Sequence, residues 1–282
     1  MSVRSDIAAR LAPYRRVVVW GAGGLGRNAV ASWLPRQKIV RIVDGNPEKV
    51  GTLVDGIPIR SIDTISTGDF DCLVICTNAH SEVRATLTNA HVTVPVHYIY
   101  ELFLPEAGWA TMSPLQKLSV DIAATKNAPW PILLLQKPQI LVNFSFRWLE
   151  WSQSMRLLYP IVPLLYVFHY WMCVVFSIQL PHKTRIGPGL IFAHFGTIVF
   201  TSRANIGAFF TIYHGCTVGT DSSGAGPLIE DFVTQFAGSH VLGKCKLGRN
   251  VRVGANAVVL GLEAPEGSSV VGVPARVLSW KA

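Results

Sequence analysis

From Ile186 onward the apolar positions fall into a rhythm of six. Ile186, Phe192 and Ile198 are six apart; after a shift of two, so are Ile206, Ile212 and Val218. After a loop the series resumes with Ile229, Gln235, Val241, Leu247, Val253 and Val259, Gln235 being its polar interruption. Glycine follows the anchor at Gly187, Gly207, Gly219, Gly248 and Gly254, and small or β-branched residues often sit two before it. A period of six matches neither the 3.6 of a helix nor the 2 of a strand. It predicts a parallel β-helix whose triangular coils each take three hexapeptides, with anchors pointing into the prism. His194 and His214 each lie two past an anchor that is second in its coil. The rhythm therefore predicts two imidazoles stacked one coil apart on one edge.

Upstream the pattern alternates differently. Val17-Val18-Val19-Trp20 is a short apolar run that leads into Gly21-Ala22-Gly23-Gly24-Leu25-Gly26, followed by a helix-like stretch from Arg27 to Leu34. This is a Gly-x-Gly-x-x-Gly turn between strand and helix, the setting in which backbone N–H groups can meet a pyrophosphate. A second strand ends at Asp44, placed to receive ribose hydroxyls. A third, Cys72 to Cys76, ends at Thr77-Asn78, again at the carboxyl edge. Arg15 to Tyr100 reads as a small parallel sheet with helices on both faces, a Rossmann-like α/β domain. Its candidate nucleotide-binding residues are Gly21, Gly23, Gly26 and Asp44. A nucleotide or nucleotide-sugar is the ligand such a turn admits; the alternative is a turn kept for packing alone. Nothing beyond the glycines suggests hydride transfer, so an NAD-dependent oxidoreductase is disfavoured.

Between the two lies a helical linker. Pro129, Pro131 and Pro138 punctuate it, and Leu157 to Leu180 contains no formally charged residue. By length that run could cross a bilayer, but Pro160, Pro163, His169 and Gln179 make it a poor lipid-facing span. The favoured expectation is a helical cap over the first coil, buried in an oligomer. The alternative is an interfacial helix flanked by Arg147, Arg156, Lys183 and Arg185 in peripheral contact with an anionic membrane. The expected domains are residues 1–112, a cap over 113–180, and the all-β helix over 181–282.

Composition narrows the partners. Half of the 282 residues are apolar and 15% are charged, a globular balance without the charge richness of disorder. A net charge of +8 suits an anionic partner. No basic run interleaved with aromatics is present, so nucleic acid is not expected. The five cysteines are an odd number, read as reduced thiols, and no signal peptide is evident over Met1 to Tyr14. A cytoplasmic location fits these observations, with peripheral membrane association as the alternative. No metal site is expected.

The segment Gly187 to Val199, with its Phe192-Ala193-His194-Phe195-Gly196 centre, then Ile212-Tyr213-His214-Gly215-Cys216-Thr217-Val218-Gly219 and the closing Val271-Gly272-Val273-Pro274-Ala275-Arg276, resembles the serine acetyltransferase family. The likeness is nearest to its polysaccharide O-acetyltransferase branch. That resemblance implies a left-handed β-helix, a homotrimer and acetyl-CoA as cosubstrate. His194 falls at the family's catalytic histidine and His214 is a candidate assistant. Ala237 and Ala255 would contact the pantetheine arm, with Gly272, Pro274 and Arg276 near the nucleotide end. The N-terminal domain resembles the sugar-nucleotide-binding domain of bacillosamine N-acetyltransferases. Two departures stand out. Gln179-Leu180-Pro181 replaces a stretch that carries an orienting Asp in serine acetyltransferases, and Thr220 to Gly226 lacks their second His. Both argue against L-serine and fit better with a sugar hydroxyl or amine. The main expectation is O-acetylation of a sugar, within a polysaccharide precursor or on a nucleotide carrier, with serine or an amino sugar as the alternative acceptor. A β-helix scaffold without catalysis is the alternative of another class.

Overall fold

A computed structural model of the chain describes residues 3–65, 69–77, 80–125 and 130–278. Asn78, expected at a strand end, lies outside them. The chain divides into two compact units, Met1–Glu106 and Ala107–Ala282.

In the N-terminal unit α1 (Val3–Arg10) precedes β1 (Val17–Trp20), α2 (Gly24–Asn28) with a π-helical turn through Trp33, and β2 (Ile39–Asp44). The hairpin β3 (Leu53–Val54) and β4 (Ile57–Ser61) follows, then β5 (Cys72–Ile75), α3 (His80–Asn89) and β6 (Val96–Tyr98). The sheet order is β3-β4-β2-β1-β5-β6, parallel except for β3 against β4. All four residues of β1 are buried, as a central parallel strand covered on both faces requires. The chain runs outward from β1 through β2 to β4, then returns to β5 on the other side. The strand order thus reverses between β1 and β5, the place where open parallel sheets bind ligands.

The second unit begins with helices α4 (Pro114–Thr125), α5 (Trp130–Gln136), α6 (Ile140–Ser154) and α7 (Val162–Val175), the last preceded by a 3-10 turn over Arg156–Ile161. Short parallel strands from Ile178 on form three sheets, the faces of a prism. One face stacks Phe200, Val218, Val241 and Val259. The second stacks Ile186, Ile206, Ile229, Leu247 and Ala264. The third stacks Phe192, Ile212, Gln235, Val253 and Val270. All are buried, and each large aliphatic anchor contributes about 1.5–3 kcal/mol by leaving water. Gln235 is tolerated because its Nε2 donates to the carbonyls of Thr217 (3.2 Å) and Ser239 (2.9 Å).

One anchor differs from expectation. Phe200, not Ile198, stacks on Val218. Phe192 to Phe200 spans eight residues where Ile212 to Val218 below it spans six. The shift of two therefore lies inside the corner 193–199 and not after it. Ile198 and Phe200 both point inward from one strand, so periodicity alone does not separate them.

The cap is also built differently. Phe146 and Val142 of α6 join the prism core. Gln139 and Asn143 donate to the carbonyls of Phe192 (3.0 Å) and Leu190 (2.7 Å). Arg147, expected as a cation flanking a membrane-facing helix, is instead fully buried: it donates to the Ile186 carbonyl (2.9 Å) and pairs with Asp121 of α4 (2.9 Å). Asp121 in turn accepts from the amides of Gly189 (2.6 Å) and Leu190 (3.0 Å). Thus α4 and α6 close the first coil. The run Leu157–Leu180, expected to do so, contributes only through its end, where Phe176, Ile178 and Leu180 enter the prism core and Ile178 pairs with Ile198, while most of α7 stays exposed.

Candidate functional site

The two extra residues in the 193–199 corner form a bulge. Gly196 has φ +110°, a conformation that excludes a side chain although the space beside it is open, and Thr197 is also left-handed at +51°. The Gly196 amide donates to the Phe176 carbonyl (3.1 Å), and the Gly215 amide donates to the Gly196 carbonyl (3.0 Å). The bulge is thereby tied to the chain before and the coil after it. His194 and Phe195 project from it into solvent.

The strand pairing sets the rest of the column. Phe192, Ile212, Gln235, Val253 and Val270 are successive partners on one face. Two residues beyond each stand His194, His214, Ala237, Ala255 and Gly272. One coil edge therefore carries both histidines at one end and three small residues beyond them. With about 4.8 Å per coil, the column runs ~19 Å from His194 to Gly272. The imidazole centroids of His194 and His214 are 5.7 Å apart. Among the described residues no carboxylate hydrogen-bonds either ring. Pro274 and Arg276 lie on the terminal antiparallel hairpin, where Val271 pairs with Arg276 and Gly272 with Ala275. Both are exposed. The amides of Gly215, Gly238 and Asn256 are engaged in coil-to-coil bonds, so any oxyanion donor must come from other positions of the edge.

Tyr213 escaped the sequence reading. Its ring lies 5.8 Å from His194 and 5.3 Å from Phe236, walling one side of the imidazole. Its position, directly after a core anchor and so facing outward, was the available signal. The buried Asp121–Arg147 pair that fixes the start of the coil carrying His194 gave none, since helix residues far apart in sequence hold it together.

In the N-terminal unit a cavity of about 550 Å³ opens at the carboxyl ends of β1, β2 and β5, lined by Gly21, Gly23, Gly24, Asp44, Lys49 and Thr77 among others. The three predicted glycines play separate parts, and Gly21, at φ +108°, would bring a Cβ to 2.7 Å from the Cys76 carbonyl oxygen. A Cβ on Gly26 would sit 1.7 Å from the Gly21 carbonyl oxygen, so Gly26 permits the helix to approach the strand. A Cβ on Gly23 meets nothing within 4 Å, so this position stays open toward the cavity it lines. Asp44 Oδ2 accepts from the Ala22 amide (2.7 Å) and Oδ1 from the Asn46 amide (2.9 Å), with Lys49 Nζ at 3.2 Å. Burial alone would raise its pKa. The two amides and Lys49 outweigh burial and hold the carboxyl below its usual range.

The family model described as C2185-like, N-terminal matches residues 13–95. The chain is 31% identical over 149 residues to a serine acetyltransferase of Synechococcus elongatus, covering 52% of this chain and 59% of that protein. It is 38% identical over 106 residues to a serine acetyltransferase of Helicobacter pylori, covering 36% of this chain and 61% of that protein. The chain thus spans less than two thirds of either relative. A solved structure, the soybean serine acetyltransferase apoenzyme, superposes with a TM-score of 0.51 and 22% identity over 71% of this chain and 90% of that one. What that likeness shows is the fold, a left-handed parallel β-helix following an N-terminal unit.

Proposed function

We propose that this chain is an acyltransferase that moves the acetyl group of acetyl-CoA to a hydroxyl, with His194 as general base. The observation that carries the reading is the bulged corner, which lifts His194 out of the prism at the head of a column of small residues. The serine acetyltransferase relatives support the same chemistry. In the reaction, Nε2 or Nδ1 of His194 takes the hydroxyl proton as the oxygen bonds to the thioester carbon. The carbon–sulfur bond of the tetrahedral intermediate then breaks, and the CoA sulfur leaves with that proton. His214, one coil on, assists by orienting or shielding the first imidazole. Ala237, Ala255 and Gly272 leave room for the pantetheine arm along the column, and exposed Arg276 offers a cation to the phosphates.

The names of the relatives favour an L-serine hydroxyl as acceptor. A sugar hydroxyl of a polysaccharide precursor is the second reading, carried by Gln179 in place of a carboxylate and by a 220–226 loop without histidine. The resemblance supports a homotrimer with the CoA groove between subunits, and a cytoplasmic location where acetyl-CoA is supplied. For the N-terminal unit we infer a Rossmann-like domain whose cavity takes a nucleotide or nucleotide-sugar, supported by the open side of Gly23 and the strand-order reversal. Release of free thiol from acetyl-CoA in the presence of L-serine, amino sugars and sugar nucleotides tests the activity and ranks the acceptors. Thiol release that depends on one of these hydroxyls is expected. No acceptor-dependent release with any of them would refute the reading.

A further inference from the structure

The sequence 157–180 is apolar on every side, yet α7 covers only one stripe of itself. Val162, Leu165, His169, Met172 and Phe176 are spaced three and four apart and form the packed or half-packed side. His169 closes that side through hydrogen bonds with the Leu180 carbonyl (2.8 Å) and Ser145 (2.9 Å). The remaining circumference is open, with Leu157 85%, Leu164 70% and Trp171 57% exposed. A helix apolar all round is stable in water only when something else covers it.

Charge and aromatic chemistry indicate what that is. From residue 151 to 220 the chain has no Asp or Glu, while Arg156, Lys183, Arg185 and Arg203 are cationic. Arg156 opens the helical segment and Lys183 and Arg185 follow it, all three exposed. A second copy docked through this face would bring like charges together, and the stretch 151–220 supplies no carboxylate to answer them. The exposed side also carries Tyr159, Tyr166, Tyr170 and Trp171. These are side chains whose apolar bodies and polar tips suit the boundary between headgroups and acyl chains. Pro160 and Pro163 break the amide ladder at the start of the segment and disfavour a spanning helix. At its far end the Phe176 ring packs 5.8 Å from that of Phe195, the neighbour of His194.

We propose that the exposed side of α7 and the turn before it is a docking surface for an anionic phospholipid bilayer, with the helix lying in the plane of the interface. The apolar and aromatic side enters the headgroup boundary while Arg156, Lys183 and Arg185 meet lipid phosphates. This surface does not depend on which acceptor the enzyme uses. The full chain is mixed with vesicles of phosphatidylcholine and phosphatidylglycerol at 7:3, or of phosphatidylcholine alone, and sedimented. Binding is expected to the mixed vesicles and much less to the neutral ones. It should weaken in 0.5 M salt, because exposed charges are screened within a few ångströms there. Removing the cations one at a time (Arg156→Ser, Lys183→Ser, Arg185→Ser) should lower partitioning about fivefold each. These exposed positions keep the test valid even if Leu164→Glu or Trp171→Glu disturbs folding. No binding to the mixed vesicles at low salt overturns the proposal. So does equal, salt-insensitive binding to neutral vesicles, or retention in cell membranes through salt and carbonate until detergent is added. A Leu164→Glu variant that dissociates an oligomer without changing vesicle binding would assign the face to a second copy and overturn it as well.

Discussion

The two units use glycine and periodicity in opposite ways. In the β-helix a residue's role follows from its place in the repeat: anchors go inward, and the residue two beyond faces out. The proposed base sits where the repeat lengthens, at the eight-residue step from Phe192 to Phe200 that carries His194. In the α/β unit one motif serves several ends at once. Gly26 is demanded by the close approach of its own chain, while Gly23 faces the cavity and meets nothing. An interrupted repeat is therefore a sharper pointer to a site than an intact motif, because the intact motif has a structural reason to exist anyway.

That contrast can be broken most forcefully at the glycines. Gly26→Val forces atoms into the Gly21 carbonyl and should abolish folding of the N-terminal unit, seen as loss of its cooperative melting and rapid proteolysis of residues 1–106. Gly23→Val should leave melting within about 0.5–1 kcal/mol of wild type, a glycine-scale backbone effect, while removing ligand-induced thermal shifts by nucleotides or nucleotide-sugars. If no such ligand stabilises the wild-type unit, the turn is kept for packing alone. Equal destabilisation by both substitutions would erase the distinction between the two glycines.

A smaller effect tests the helical layer beside the β-helix. Burial, opposed by the Leu180 carbonyl and joined by the nearby charge of His182, holds His169 below the ordinary imidazole range. The Leu180 carbonyl accepts from Nε2, leaving Nδ1 to accept from the Ser145 hydroxyl. The unfolded chain therefore binds this proton at a higher pH than the folded one. Stability from the neutral ring is fully present above about pH 6.5 and declines as pH falls from there toward the folded value, by at most about 1.4 kcal/mol per unit. Denaturant titrations between pH 7.5 and 5 should show a shallower decline for His169→Gln than for wild type. Parallel slopes would remove His169 from the account.

Much of this was legible beforehand, for identifiable reasons. The column of His194, His214, Ala237, Ala255 and Gly272 follows from counting, because each coil repeats the same three corners. The misassigned Ile198 anchor arose because one strand carries two inward side chains, and only the pairing of Phe200 with Val218 decides between them. Within the cap expected over 113–180, the closing role falls to α4, α6 and only the end of Leu157–Leu180, because an apolar run declares that it wants cover without saying what provides it. Arg147 reads as a surface cation in the sequence, and Asp121 as nothing in particular, because a buried charge pair looks like any two surface charges until the helices are packed.

The central claim is that the bulged corner exists to present His194 as a base. The direct measurement is steady-state turnover of His194→Ala together with its acetyl-CoA affinity by titration on the same preparation. A fall in kcat of at least about a hundredfold with an acetyl-CoA Kd close to wild type is the predicted result, since losing a general base typically costs that much without touching the cosubstrate. A variant that keeps most of its turnover would contradict the account and move the base elsewhere on the edge, to His214 first.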